Sequence, residues 1–201
     1  MNETIHPSRM KLLEATLGLV REKGYAATTV DDICLRAGVS KGSFFHHFRS
    51  KEELVLGAVD HWNQFTSEVF AQAPYQDLAD PRDRILGYVD FRMAILDFEV
   101  PDFTCLLGTL VQETYQSHPS IREACDFGMS SHIARLTTDV ELARSRHASN
   151  ADWTAASVGY FIQAVLQGAF IFAKAKLDAD IARENLRHLR RYLEMILPPN
   201  S

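Results

Sequence analysis

The 201-residue chain carries only three cysteines, Cys34, Cys105 and Cys125, odd in number and far apart, with no Cys-X-X-Cys pair. That excludes a disulfide framework and suggests no zinc site. A reducing cytoplasm is the natural compartment. Sustained alternation of period two is missing, as are Asn-Gly and Asp-Gly turns, so no sheet is expected. No apolar run approaches the ~18–20 residues of a membrane span, and no membrane partner is expected. The polar opening from Met1 to Met10 lacks a secretory leader pattern. There is no Gly-rich phosphate loop and no His-Glu-X-X-His string. His118, His132 and His147 are scattered rather than set at metal-ligand spacing. Neither an enzyme, a metal site nor a cofactor is therefore expected. What is present, 46% hydrophobic and 23% charged residues, is the ordinary globular mix. The length suffices to bury a core without staples.

Charge is unevenly placed. The net of −5 hides a head, residues 1–52, with eight basic and six acidic side chains, and a body of net −7. Arg36 to Lys51 holds Arg36, Lys41, Arg49 and Lys51 and no acid, with His46 and His47 among them. A basic head on an acidic body suits a chain that meets a polyanion at one end only.

The periodicity is helical throughout, giving an all-α fold of about nine helices. Ser8 is placed to cap the first, with Leu13, Leu17 and Val20 as its stripe and Gly24 as its stop. Thr29 caps a short second helix that ends at Gly38, and Ser40 caps a third over about Lys41–His47. Ser50 with Glu53 forms a capping box for the fourth, which runs towards Ala73. Longer helices follow over about 80–98, 101–117, 119–147, 153–177 and 180–197. The boundary between the head, 1–52, and the body, 53–201, falls near the start of the fourth helix.

Residues 29–48 read as helix, tight turn and helix. Val39 is placed to plug the junction above Ile33, Phe44 and Phe48. A helix-turn-helix offers the N-terminal end of its second helix to the major groove. Here that end presents Ser40, Lys41, Gly42 and Ser43. Lys41 is placed for a phosphate or a guanine edge, and Gly42 lets the backbone approach closely. Phe45, His46 and His47 line the groove wall, with Thr29 at the start of the first of the two helices. Lys51 is set for another phosphate.

The stretch Gly24-Tyr25 to Leu54 resembles the TetR type of bacterial transcriptional repressors. The likeness is carried above all by Thr28-Thr29-Val30, Ala37-Gly38-Val39-Ser40-Lys41-Gly42-Ser43 and His46-His47-Phe48-Arg49-Ser50-Lys51-Glu52-Glu53-Leu54. It implies a homodimer that binds a pseudo-palindromic operator in double-stranded DNA and is released by a small-molecule or electrophile inducer. Relatives usually carry tyrosine where this chain has Phe45, which keeps the ring and loses the phosphate-binding hydroxyl. A repressor, an activator and a non-inducible architectural DNA binder share all of these features, and an enzyme using a helical pocket is the remaining alternative.

The body offers a dimer face and a cage. Trp153–Lys176 is apolar nearly all round, and the stripe Ile181, Leu186, Leu189, Leu193 and Ile196 follows. With the resemblance, these two helices are expected to pair with their copies as a four-helix bundle. Phe91, Leu96, Phe103, Cys105, Leu107, Val111, Tyr115 and Phe170 supply an apolar ligand lining, with Gln163 and Gln167 as polar handles. The acid-rich body shows no anion clamp, which favours a neutral or cationic ligand. Asp102 as N-cap would put Cys105 near N3 of its helix, where the dipole favours thiolate. Cys105-Leu106-Leu107-Gly108 resembles a segment of one TetR branch whose cysteine responds to electrophiles, and that branch has a lysine matching Lys174.

Overall fold

The computed structural model describes residues 6–199. Among them are ten α-helices and no strand: α1 Pro7–Lys23, α2 Val30–Ala37, α3 Lys41–His47, α4 Lys51–Ala71, α5 Pro81–Ala94, α6 Val100–Phe103, α7 Leu106–Thr114, α8 Pro119–His147, α9 Ala155–Lys176 and α10 Asp180–Ile196. Two 3-10 turns, Pro74–Asp77 and Ile95–Asp97, complete the set. The all-α expectation holds.

Two details of the sequence reading are corrected. The first helix is capped by His6, whose Nδ1 accepts from Ser8 N at 3.3 Å, with Pro7 in the first turn. Ser8 instead bonds His47 Nε2 through its hydroxyl at 2.6 Å. The helix expected over 101–117 is two helices, which accounts for ten where nine were expected. Thr104 and Cys105 are both extended, at ψ 152° and 124°. Thr104 Oγ1 donates to the Pro101 carbonyl at 3.2 Å, a side-chain bond that competes with continuing the helix. Cys105 therefore stands at the N-cap of α7, not at N3.

The chain forms two compact units. The first is the chain through Thr66 with Cys105–Met129; the second is Ser67–Thr104 with the chain from Ser130 on. The chain passes from one to the other inside α4, at Thr104–Cys105, and inside α8. In the first unit α1 packs on α2, α3 and α7. Leu12, Leu13, Val20, Ile33, Phe44, Leu54, Leu106, Leu110 and Ile121 are fully buried there. In the second, α10 packs on α9 and α5 through Leu186, Leu189 and Leu193. Arg190 clasps Asp90 with bonds of 2.7 and 3.2 Å, and Arg183 reaches Asp97 at 2.8 Å.

By length and composition alone α9 is apolar enough to cross a membrane, with a mean hydropathy of 1.5 over its apolar window. The expectation that no stretch approaches that length missed it. Val158, Ile162, Leu166, Ala169, Phe170 and Ala173 bury one side of this helix within the chain.

Candidate functional site

The helix-turn-helix is built by reciprocal capping. Thr29 N donates to Asp32 Oδ2 at 2.9 Å, and Asp32 N donates to Thr29 Oγ1 at 3.1 Å. The Lys23 ammonium at 2.8 Å and the Thr29 bonds hold the Asp32 carboxyl far below the usual carboxylate range. Gly38 ends α2 at φ 64°, a left-handed conformation that side chains resist. Ser40 then caps α3 by accepting from Ser43 N at 3.1 Å. Gly38 to Gly42 spells a Gly-X-Ser-X-Gly string, but it lies between two helices. A nucleophile elbow follows a strand, and here Ser40 serves as a cap.

The α3 face divides cleanly. Phe44 is fully buried, with Phe45 edge-on to it at 4.9 Å and itself 59% exposed. Lys41 and His46 are exposed, and Lys41 pairs with Asp31 at 2.7 Å. Gly42 and Ser43 follow Lys41 on the first turn. His47 is half-buried against Ser8 and His6, and burial followed by the neighbouring His46 lowers its pKa. Leu35, on α2, is 84% exposed.

Lys51 is placed differently from its sequence expectation. Its ammonium donates to the Tyr25 and Thr28 carbonyls, each at 3.1 Å, and lies 4.0 Å from the Tyr25 ring centroid. Burial lowers its pKa. The same 24–28 turn is held from α7, a feature that sequence reading missed. Glu113 accepts from Tyr25 N at 3.2 Å and Ala26 N at 3.0 Å, and the Tyr25 hydroxyl meets His118 Nε2 at 3.1 Å. Gly24 sits at φ +85°, and a Cβ there would stand 2.1 Å from Glu113 Oε1.

The expected ligand residues fall into both units. Phe91, Leu96, Phe103, Gln163, Gln167, Phe170 and also Lys174 belong to the second. Cys105, Leu107, Val111 and Tyr115 belong to the first. There Leu107 is buried in the core, Val111 and Cys105 pack on that core, and Tyr115 is exposed. Gln112, beside them on α7, donates to the Gly108 carbonyl at 2.7 Å.

The second unit gathers a cluster that the sequence reading only partly named. Phe70 lies 5.8 Å from Phe91 and 4.8 Å from the His132 ring, and Phe103 lies 5.8 Å from Phe170. Gln163 donates to the Tyr88 hydroxyl at 2.9 Å, and that hydroxyl meets His132 Nε2 at 2.9 Å. Burial, then Arg92, pushes the His132 pKa down to about 3, so the ring is neutral. Arg92 itself lies over the Phe70 and Phe170 rings. Its signal was legible: a cation one turn beyond Tyr88 and flanked by Phe91 and Met93.

On α9, Tyr160, Phe161, Ile171 and Phe172 are exposed, and on α10 Met195 is exposed. A Cβ on Gly168 would meet nothing within 4 Å.

A capped helix-turn-helix with a cationic, exposed second helix, joined to a helical body, defines a DNA-binding transcription regulator. Residues 12–58 match the bacterial regulatory proteins of the tetR family, and residues 81–189 match the tetracyclin repressor-like C-terminal domain. The chain belongs to the TetR family, whose members are regulators rather than enzymes and whose architecture is homodimeric in type. It is 24% identical over 190 residues to the HTH-type transcriptional repressor NemR of Escherichia coli K12, covering 94% of this chain and 96% of that one. It is 39% identical over 62 residues to the uncharacterized HTH-type transcriptional regulator YerO of Bacillus subtilis, 31% of this chain and only 20% of that protein. In fold it is similar to the crystal structure of regulatory protein TetR from Rhodobacter sphaeroides, at TM-score 0.83 and 24% identity over 93% of this chain and 99% of that one.

Proposed function

We propose that this chain is a ligand-responsive repressor, acting in the cytoplasm as a homodimer on a pseudo-palindromic operator. Ser40, Lys41, Gly42 and Ser43 enter the major groove at the start of α3. Thr29, Phe45, His46 and His47 flank the groove, and Lys51 holds the head in shape. The observation that carries this reading is the division of α3, with Phe44 wholly buried while Lys41, Phe45 and His46 stay exposed. The α9 and α10 helices of two copies pack together through the exposed Tyr160, Ile171, Phe172 and Met195. A small-molecule inducer sits in the second unit among Phe91, Leu96, Phe103, Gln163, Gln167 and Phe170. A ligand shifts operator binding only through differential affinity for two states.

The test is a gel-shift titration against operator candidates drawn from the DNA beside the gene, at several salt concentrations. Affinity for a palindrome is expected to fall steeply with salt. Lys41→Ala is expected to cost about 1–3 kcal/mol and relax sequence preference at one position of each half-site. Salt-independent binding, or unchanged affinity in Lys41→Ala, overturns this placement.

A further inference from the structure

Of the three arginines on α5, two are satisfied. Arg82 donates to the Leu197 carbonyl at 2.7 Å, and Arg84 grips Asp139 through two bonds of 2.8 and 2.7 Å. Arg92 is different. Its guanidinium carbon lies 5.3 Å from the Phe70 centroid and 5.2 Å from the Phe170 centroid. Its Nε is shut from solvent and has no hydrogen-bond partner. Among the described residues Arg92 makes no ion pair.

A guanidinium cannot shed its proton at ordinary pH, so its charge is permanent. Aromatic faces offset part of the cost of burying it, but they do not satisfy N–H groups that point outward in the guanidinium plane. A buried donor without an acceptor is unfavourable. Stacking covers the faces of the guanidinium and leaves its edge, where the unbonded Nε lies, as the side from which an acceptor would approach. A carboxylate matches the guanidinium fork with two parallel bonds. Because the Nε is shut from solvent, a pair made there is stronger than one in water.

The surroundings narrow the ligand further. The aromatic wall continues from Phe70 to Phe91 and from Phe170 to Phe103, which suits an apolar or aromatic body. Tyr88, His132 and Gln163 form a neutral hydrogen-bonded chain beside Phe70. Arg92 is thus the cation stacked on these rings, while Arg135 acts on His132 from farther off, and the one guanidinium fork on the rings takes one carboxylate.

We propose that the second unit binds a monocarboxylate with an apolar or aromatic body, its carboxylate held edge-on by the Arg92 guanidinium. This rests on reading the second unit as the ligand-binding part, and it names the chemical class of that ligand. It reverses the preference for a neutral or cationic ligand drawn from the acid-rich composition.

The probes are benzoate, phenylacetate and hexanoate, each paired with its primary amide, tested on the full-length protein by calorimetry and thermal shift. At least one acid is expected to bind, with its amide weaker by about ten-fold or more. Arg92→Gln is expected to abolish that preference and, lacking the unbonded Nε–H that is shut from solvent, to melt no lower than wild type without ligand. In wild type the Arg92 Nε–H resonance is expected to move on titration with the bound acid, a readout that does not depend on the variant folding. The proposal is overturned if no acid binds at about 10 mM, if each amide binds as well as its acid, if Arg92→Gln keeps the preference, or if the resonance stays still. Operator release separates this from the broader reading. An acid that binds through Arg92 without releasing operator DNA leaves the site standing and overturns its role in induction. Release by a neutral compound with no acid bound does the reverse.

Discussion

Replacing Lys51 with methionine separates two roles for one cation. The sequence sets Lys51 against a phosphate, whereas its ammonium is directed to the Tyr25 and Thr28 carbonyls and the Tyr25 ring. Methionine keeps most of the stem and removes the charge. With the ammonium only half-buried, each bond contributes about 0.5–1.5 kcal/mol, and the ring contact about 0.5–1 kcal/mol more. Burial of the ammonium, seen in its lowered pKa, opposes that gain, and the carbonyls left behind tolerate a lost donor better than amides would. The net loss is about 1–2 kcal/mol, which in a chain of this size lowers Tm by about 2–8 °C. Scanning fluorimetry measures that fall. The salt dependence of operator binding is expected to stay as it is, because no phosphate contact is lost. A flatter slope, by about 0.9 for each copy of the chain, with an unchanged Tm would refute the internal brace and return Lys51 to the DNA backbone.

Leu166 is fully buried within its own chain, so a charge there unfolds the chain rather than splitting a dimer. Phe172→Glu, at an exposed position of α9, is expected to give folded monomers in sedimentation where wild type gives dimers; dimers in both would move the interface elsewhere. His132, with its pKa at about 3 in the fold and about 6.5 unfolded, binds fewer protons folded than unfolded between those values. Stability therefore rises with pH across that window, and urea melts at pH 5 and pH 7 are expected to differ by about 2 kcal/mol more in wild type than in His132→Gln; equal differences would refute the buried neutral ring. Cys105 is half-buried at the start of α7. If it senses electrophiles, methylglyoxal releases operator from wild type and not from Cys105→Ser, while equal release from both leaves it a packing residue.

The head was legible because its signals are local. Thr29 with Asp32, Gly38, and Ser40 with Ser43 each act over three or four residues, and the same spacings recur in the folded structure. The body was legible only as periodicity. Nothing local announces that Thr104 and Cys105 are extended, since that break depends on a side-chain bond to Pro101 and on where α7 must pack. The partners of Lys51, Glu113 and Tyr88 lie 23 to 88 residues away along the chain. Arg92 was passed over because net charge was counted over the whole body, while a buried site responds to the few groups beside it.

The Glu113 clasp on the 24–28 turn bears on how hybrid regulators are assembled. A head cut out at residue 58, where the N-terminal family match ends, leaves behind α7 and the first part of α8. Such a fragment loses Leu106, Leu110 and Ile121 from its core, together with the acceptor for two backbone N–H groups. Grafting a foreign body onto it would set an unfamiliar residue where the Glu113 carboxylate now stands close against Gly24. Exchange of DNA specificity between two such regulators therefore has to move residues 105–129 along with the first 66, as one discontinuous cassette.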